Sequence, residues 1–214
     1  MVLLLVMPPH LLPELNPFYP WLDRAGLAVF AASGALAAAR AQRDIVAACF
    51  FAIVTATGGG TTRDLLIDAP VFWMHDSVPV IICLAVAAAV WLVPRRWWPE
   101  RALEWCDAVG LAAYAVYGAG KALHFGIPPL PAAIMGVVTG CMGGIIRDVV
   151  AGVPSIILRR ELYVTAAALA AGLFVGLALL GMTAPWPAVI AVLAGFGLRA
   201  GSITRGLSLP GYKG

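Results

Sequence analysis

Charge is scarce in this chain. Of its 214 residues 12% are Asp, Glu, Lys or Arg, while 62% are hydrophobic and the mean hydropathy is +0.92. So few charges cannot cover a water-soluble globule, which leaves an integral membrane protein. Cysteine is sparse too: Cys49, Cys83, Cys106 and Cys141 form no CxxC pair, so no metal framework or disulfide pattern is expected and they read as small apolar fillers. The HExxH, GxSxG, P-loop and dinucleotide-binding patterns are missing, no catalytic residue or resident cofactor suggests itself, and an enzyme is disfavoured. No Lys/Arg block is dense enough to hold nucleic acid. The opening MVLLLVMPPH lacks a basic start and its apolar run stops at Pro8 and Pro9, so residues 1–22 are read as a lead-in rather than a cleaved signal peptide.

Seven apolar runs fill the remainder: 24–40, 45–66, 77–94, 107–124, 130–151, 161–181 and 186–204. Each is close to the ~20 residues a helix needs to cross a bilayer. A β-barrel would alternate in segments of about ten residues, which these runs do not. The expected fold is therefore all-α, with seven transmembrane helices. Arg40, Arg43, Arg95, Arg96, Arg101, Arg159, Arg160, Arg199, Arg205 and Lys213 fall on one side of that arrangement, against Arg24 and Lys121 on the other. The positive-inside rule then puts the N-terminus outside and the C-terminus in the cytoplasm. Trp73, Trp91, Trp97, Trp98, Trp105 and Trp186 stand near span ends, where indole rings prefer to sit. His10, His75 and His124 fall in loops or at span ends and read as solvated.

A shift of 84 positions lays the chain on itself without a gap. Asp23, Gly26, Leu27 and Gly34 fall on Asp107, Gly110, Leu111 and Gly118; Thr55, Gly59, Gly60, Arg63, Asp64 and Pro70 fall on Thr139, Gly143, Gly144, Arg147, Asp148 and Pro154. Glycines and charges do not match by shared hydrophobicity, so the chain reads as two copies of one unit. Three spans per copy is an odd number, and tandem copies must then face opposite ways across the membrane. The expected division is a lead-in at 1–22, a first three-helix repeat at 23–106, a second, inverted repeat at 107–184, and a seventh helix with its tail at 185–214.

Each copy carries a glycine cluster followed by Arg-Asp. Gly58, Gly59 and Gly60 each cost a helix about 1 kcal/mol relative to Ala, and Gly143 and Gly144 recur at the matching place. The reading favoured here is a break in spans two and five, with half-helices 45–57 and 130–141 ending in carbonyls that suit a cation. The competing reading is that the glycines only allow close helix packing. A break would put Asp64 and Asp148 in the first turn of a new half-helix, where its dipole favours an anion. Arg63 and Asp64 project about 100° apart on a helix, which argues against their pairing with each other. The inverted arrangement suggests a swap: Arg63 with Asp148 or Asp107, and Arg147 with Asp64 or Asp23. Snorkelling to water is the alternative for any of them. Lys121 has Ala37 as its counterpart and no symmetry mate, so it is a candidate gate or field sensor, unless it snorkels to the interface beside His124. Gly172 and Gly176 match GxxxG, which packing within the chain or between chains would explain equally.

The pair GGGTTRDLL and GGIIRDVVAG, with the starts D..GL..F..SGALAA and D..GL..Y...GA.KAL, resembles the prokaryotic branch of the trimeric intracellular cation (TRIC) channel family over nearly all of residues 23–205. The resemblance implies a homotrimer in the prokaryotic inner membrane, each protomer with its own pore between spans two and five. The permeant ions implied are monovalent cations, chiefly K⁺, with Na⁺ the other candidate, and membrane lipid is a partner. Carried onto this sequence, Gly58, Gly59, Gly60, Gly143 and Gly144 become pore hinges, and Arg63, Asp64, Arg147, Asp148 and Lys121 the intramembrane charges. Cys141 and Met142 depart from the pattern before the second glycine pair. Some bacterial members are similar enough to be described as glycine transporters, so a secondary transporter of a small amino acid is the alternative.

Overall fold

The computed structural model describes residues 18–158 and 161–209, and their regular structure is helical. In order come α1 (Phe18–Arg40), α2 (Ile45–Leu66), a single turn α3 (Phe72–His75), α4 (Val78–Leu92), α5 (Ala102–His124), α6 (Pro129–Ala151), α7 (Val164–Leu179) and α8 (Trp186–Arg205). Four of them, α1, α2, α6 and α8, are long and apolar enough to cross a bilayer. The apolar α4 and α7 are shorter, at 15 and 16 residues. The 23-residue α5 carries Glu104, Asp107 and Lys121. His10, Arg159, Arg160, Lys213 and most of the lead-in lie outside the described residues.

Local chemistry sets the ends. Asp44 caps α2 by accepting from the Ala47 amide at 2.8 Å, and prolines occupy the first turns of α4, α6 and α8, where a missing amide hydrogen is not needed. Gly152 and Gly206 close α6 and α8 at φ 70° and 65°, a left-handed conformation that glycine adopts without strain. Two boundaries move relative to the sequence expectation. The first helix begins at Phe18, inside the lead-in, and α5 begins at Ala102, so Asp107 lies within a helix rather than at its start.

The expected helix breaks do not occur. α2 runs unbroken through Gly58, Gly59 and Gly60, and α6 through Gly143 and Gly144. Asp64 and Asp148 consequently sit in the last turns of these helices and not in the first turn of any half-helix. Packing outweighs glycine's low propensity here. A Cβ on Gly59 would run into the backbone carbonyl of Thr139, and one on Gly143 into the carbonyl of Thr55.

That contact is reciprocal: 59 meets 139 while 143, its counterpart, meets 55. The same holds for α1 against α5. Gly26 would touch the Tyr114 ring and Gly110 the Phe30 ring, and these two rings stand 5.3 Å apart. Helices α1, α2, α5 and α6 thus pack as a central group, with α4 against α1 and α2, and α7 and α8 against each other and α5. Arg199, counted among the flanking basic residues in the topology argument, is in fact fully buried in α8. It pairs with Glu161 at 2.7 Å and lies 5.3 Å over the Tyr163 ring. Gly172 and Gly176 would meet nothing within 4 Å, so packing inside the chain does not account for the GxxxG pattern.

Candidate functional site

Two clusters of buried charge flank the α2–α6 contact. In the first, Arg63 Nε donates to Asp64 Oδ1 at 2.9 Å, and Lys121 Nζ approaches the same oxygen at 2.9 Å. The other oxygen of Asp64 accepts from the Phe72 amide at 3.1 Å. The Arg63 guanidinium lies 5.3 Å over the Tyr117 ring, a cation–π contact, and Asp23 stands within electrostatic reach of Arg63 and Lys121. In the second cluster Arg147 donates through Nε and NH2 to Asp148 Oδ1 at 2.9 and 2.8 Å, and through NH1 to Asp107 Oδ1 and to the Ser33 hydroxyl, both at 2.5 Å. Asp148 Oδ2 accepts from the Ile156 amide at 2.8 Å. Arg63, Asp64, Asp107, Arg147 and Asp148 are all buried.

The two clusters occupy corresponding positions under the shift of 84, with Lys121 the exception. Asp64 with Phe72 corresponds to Asp148 with Ile156, and Tyr117 against Arg63 corresponds to Ser33 against Arg147. Each aspartate ties the end of its helix to the loop that follows, through an amide eight residues on. This burial is sustainable because each of these arginines and aspartates has an opposite charge in contact, and Asp64 and Asp148 each accept a backbone hydrogen bond besides.

The swapped pairing is therefore corrected. Arg63 meets Asp64, and Arg147 meets Asp148 and Asp107, within one copy in both cases. The 100° offset holds for Cβ directions, yet the long arginine stem curls back and brings Nε and NH2 to the neighbouring carboxylate. Lys121, which has no symmetry mate in the sequence, has a partner in the structure. It is neither without a partner nor snorkelling: its side chain is 16% exposed and bridges from α5 to Asp64 on α2. His75 is exposed as expected, whereas His124 is half-buried against Phe125.

Glycine shapes the space between the clusters. Gly60 leaves room for Phe72 and Gly144 for the Tyr163 hydroxyl, with Asp107 Oδ1 3.1 Å from the place a Gly144 Cβ would take. Thr57, Thr61 and Thr62 turn their hydroxyls onto carbonyls one turn back, at 2.7, 2.8 and 2.9 Å, so their polar groups are satisfied inside the helix.

The chain is similar to several known proteins. A family profile described as "Glycine transporter" matches residues 20–95 and again 104–179. The UPF0126 membrane protein of Vibrio cholerae is 41% identical over 197 residues, 89% of this chain and 81% of that protein. The UPF0126 inner membrane protein YadS of Escherichia coli is 42% identical over 151 residues, 68% of this chain and 72% of that protein. The solved TRIC trimeric intracellular cation channel orthologue from Rhodobacter sphaeroides superposes with a TM-score of 0.83 at 40% identity, covering 90% of this chain and 100% of that one. The chain belongs to the prokaryotic branch of the TRIC family. Like its relatives it is an integral membrane protein, and the TRIC structures it resembles are ion channels rather than enzymes.

Within this TRIC chain, sequence reading named ten site residues, and the structure gathers Arg63, Asp64, Lys121, Arg147 and Asp148 into the clusters, with the glycines along the seam between them. It missed Ser33 and Tyr117, whose shared signal was the shift of 84 combined with helical spacing from Gly34 and Gly118.

Proposed function

We propose that this TRIC-family protein is a monovalent cation channel, K⁺-preferring, assembled as a homotrimer of seven-span inverted-repeat protomers in the prokaryotic inner membrane, N-terminus outside. The observation that carries it is the pair of buried clusters at the two ends of the α2–α6 seam. Together Asp23, Asp64, Asp107 and Asp148 set four carboxylates against Arg63, Lys121 and Arg147, leaving one excess negative charge to favour a cation. The reciprocal contacts across α2–α6 and α1–α5 support the two-fold relation between repeats. In this reading the pore runs between α2 and α6 and is shut where Gly59 meets Thr139 and Gly143 meets Thr55 until the two helices part, a role that replaces the half-helix carbonyls. Lys121, carried on α5 and held by Asp64, is the part that responds to voltage, since a full charge crossing the field gains about 2.3 kcal/mol per 100 mV.

Planar-bilayer recording of the purified protein tests this reading. Discrete cation-selective steps with K⁺ currents above Na⁺ and Cl⁻ are expected. Lys121→Gln should shift open probability or its voltage dependence more than K⁺ over Cl⁻ selectivity, and parental gating in that variant would remove Lys121 from the mechanism. Light scattering in mild detergent should return three protomers; a monomer mass in several detergents would overturn the trimer. The family profile's description favours a second reading, secondary transport of glycine. Saturable glycine uptake into proteoliposomes without channel steps would select it.

A further inference from the structure

The two ends of the seam are filled by different rings. At Gly60 the place of a Cβ is taken by Phe72, which the loop after α2 carries and Asp64 holds by its amide. Under the shift of 84 that phenylalanine becomes Ile156, held in the same way by Asp148. Yet the side chain whose tip fills the corresponding place at Gly144 is Tyr163, the residue that precedes α7. Its hydroxyl and Asp107 Oδ1 converge on that one point, so the phenol lies against the second charge cluster.

Tyr163 is supported from behind. It is buried, and the Arg199 guanidinium lies 5.3 Å over its ring, itself fully buried and paired with Glu161. The chain beyond α8 folds back over this segment. Ser208 forms an antiparallel bridge with Glu161. The buried Ser202 hydroxyl accepts from the Leu162 amide at 3.2 Å and donates to the Leu207 carbonyl at 2.9 Å, which ties residues 161–163 and 206–208 together through one serine. Leu207 lies over Gly201. The tie is light: a cavity of about 380 Å³ adjoins it, lined by Arg101, Glu104, Glu161, Ser202 and Ser208 among others, and Leu207 and Leu209 are exposed. Exposed side chains over a polar cavity mark a part of the fold that opens at low cost.

We propose that residues 206–209 form a strap that holds Tyr163 in place, and that lifting it withdraws the phenol from Gly144 and opens the second charge cluster to water. Arg199 is a positioning residue in this device and acts on the cluster through the Tyr163 ring. Phe72 is fixed by Asp64 itself, so the control is one-sided. The strap governs access to one end of the seam, whether an ion or an amino acid crosses there.

Cys141 reports the opening. It stands one turn before Gly144 on the same helix face, is 3% exposed, and packs in the same apolar cluster as Tyr163. Cys83, fully buried in the separate cluster around α1, α2 and α4, is the internal control. The experiment measures how fast a water-soluble maleimide labels each cysteine of the purified full chain and its variants, resolved by peptide mass spectrometry. Ser202→Ala should speed labelling of Cys141 by on the order of tenfold, as expected when two hydrogen bonds are lost. Adding Leu207→Ser should speed it further, with Cys83 unchanged in both. Tyr163→Ala should also expose Cys141, and combining it with Ser202→Ala should add little, because the strap acts through Tyr163. Equal acceleration at Cys83, unchanged labelling of Cys141 when both strap contacts are removed, or full additivity with Tyr163→Ala would each overturn the proposal. Hydrogen exchange of the unaltered chain decides the matter if a variant fails to fold. Residues 161–163 and 206–209 should open together, and widely different rates would mean that no strap links them.

Discussion

Arg147→Gln should destabilise the folded protein by about 3–5 kcal/mol, the cost of leaving buried charges without their partner. Arg147 is buried and is the cation that both Asp107 and Asp148 touch, and it also holds Ser33 on α1. Glutamine can replace one hydrogen bond but not the charge. Removing one stranded carboxylate as well, through Asp107→Asn, should recover part of the loss. Thermal melting of the two single variants and the double variant in one detergent measures the coupling. Strictly additive effects would mean that Arg147 and Asp107 do not stabilise each other. Asp148 and Arg63, which the inverted arrangement suggested as partners, belong to different clusters, so that combination should behave additively.

The second large effect is expected at the α2–α6 seam. Gly59→Ala and Gly143→Ala each drive a methyl group toward a backbone carbonyl, of Thr139 and Thr55 respectively. A carbonyl within a helix cannot turn away, so the two helices must separate, at a cost of about 1–3 kcal/mol. Once either substitution has parted them the other should add little, because both contacts close the same gap. The double variant should therefore melt only slightly below the worse single one. Gly197→Ala, where a Cβ would meet nothing within 4 Å, is the control, and it should be neutral or slightly stabilising through helix propensity. Full additivity of the seam variants, or a loss at Gly197 as large as theirs, would remove the seam from the energetics.

Much of this architecture was legible because a membrane imposes it. Runs of about twenty apolar residues have few ways to satisfy their backbone except as helices, so α2 and α6 fall almost where the hydropathy put them. The duplicated Gly-Gly and Arg-Asp marks stood out because glycine and charge are rare inside spans and cannot match by composition. What failed was inference from single-residue tendencies. Three consecutive glycines argued for a break because propensity is measured in isolated helices, whereas here the missing side chains let α6 come close enough to hold α2 helical throughout. The charge pairing failed for a different reason. Adjacent positions diverge at Cβ, but arginine's reach is set by a stem long enough to undo that divergence. Lys121 was read as unpaired because its counterpart is alanine; symmetry can say that a mate is missing but cannot point across to Asp64.

The lysine facing Asp64 has a consequence of another kind. Two identical halves in opposed orientation would offer an ion the same sequence of wells and barriers from either face of the membrane, and current would depend on the size of the driving force but not its sign. Lys121 in one half and Ala37 in the other remove that equality. At one end of the seam an ammonium group joins the guanidinium, and at the other the guanidinium is the cation of its cluster alone. A pore along it would therefore rectify, carrying cations more easily in one direction than in the other. A single substitution in a duplicated unit would then suffice to give the molecule an electrical front and back.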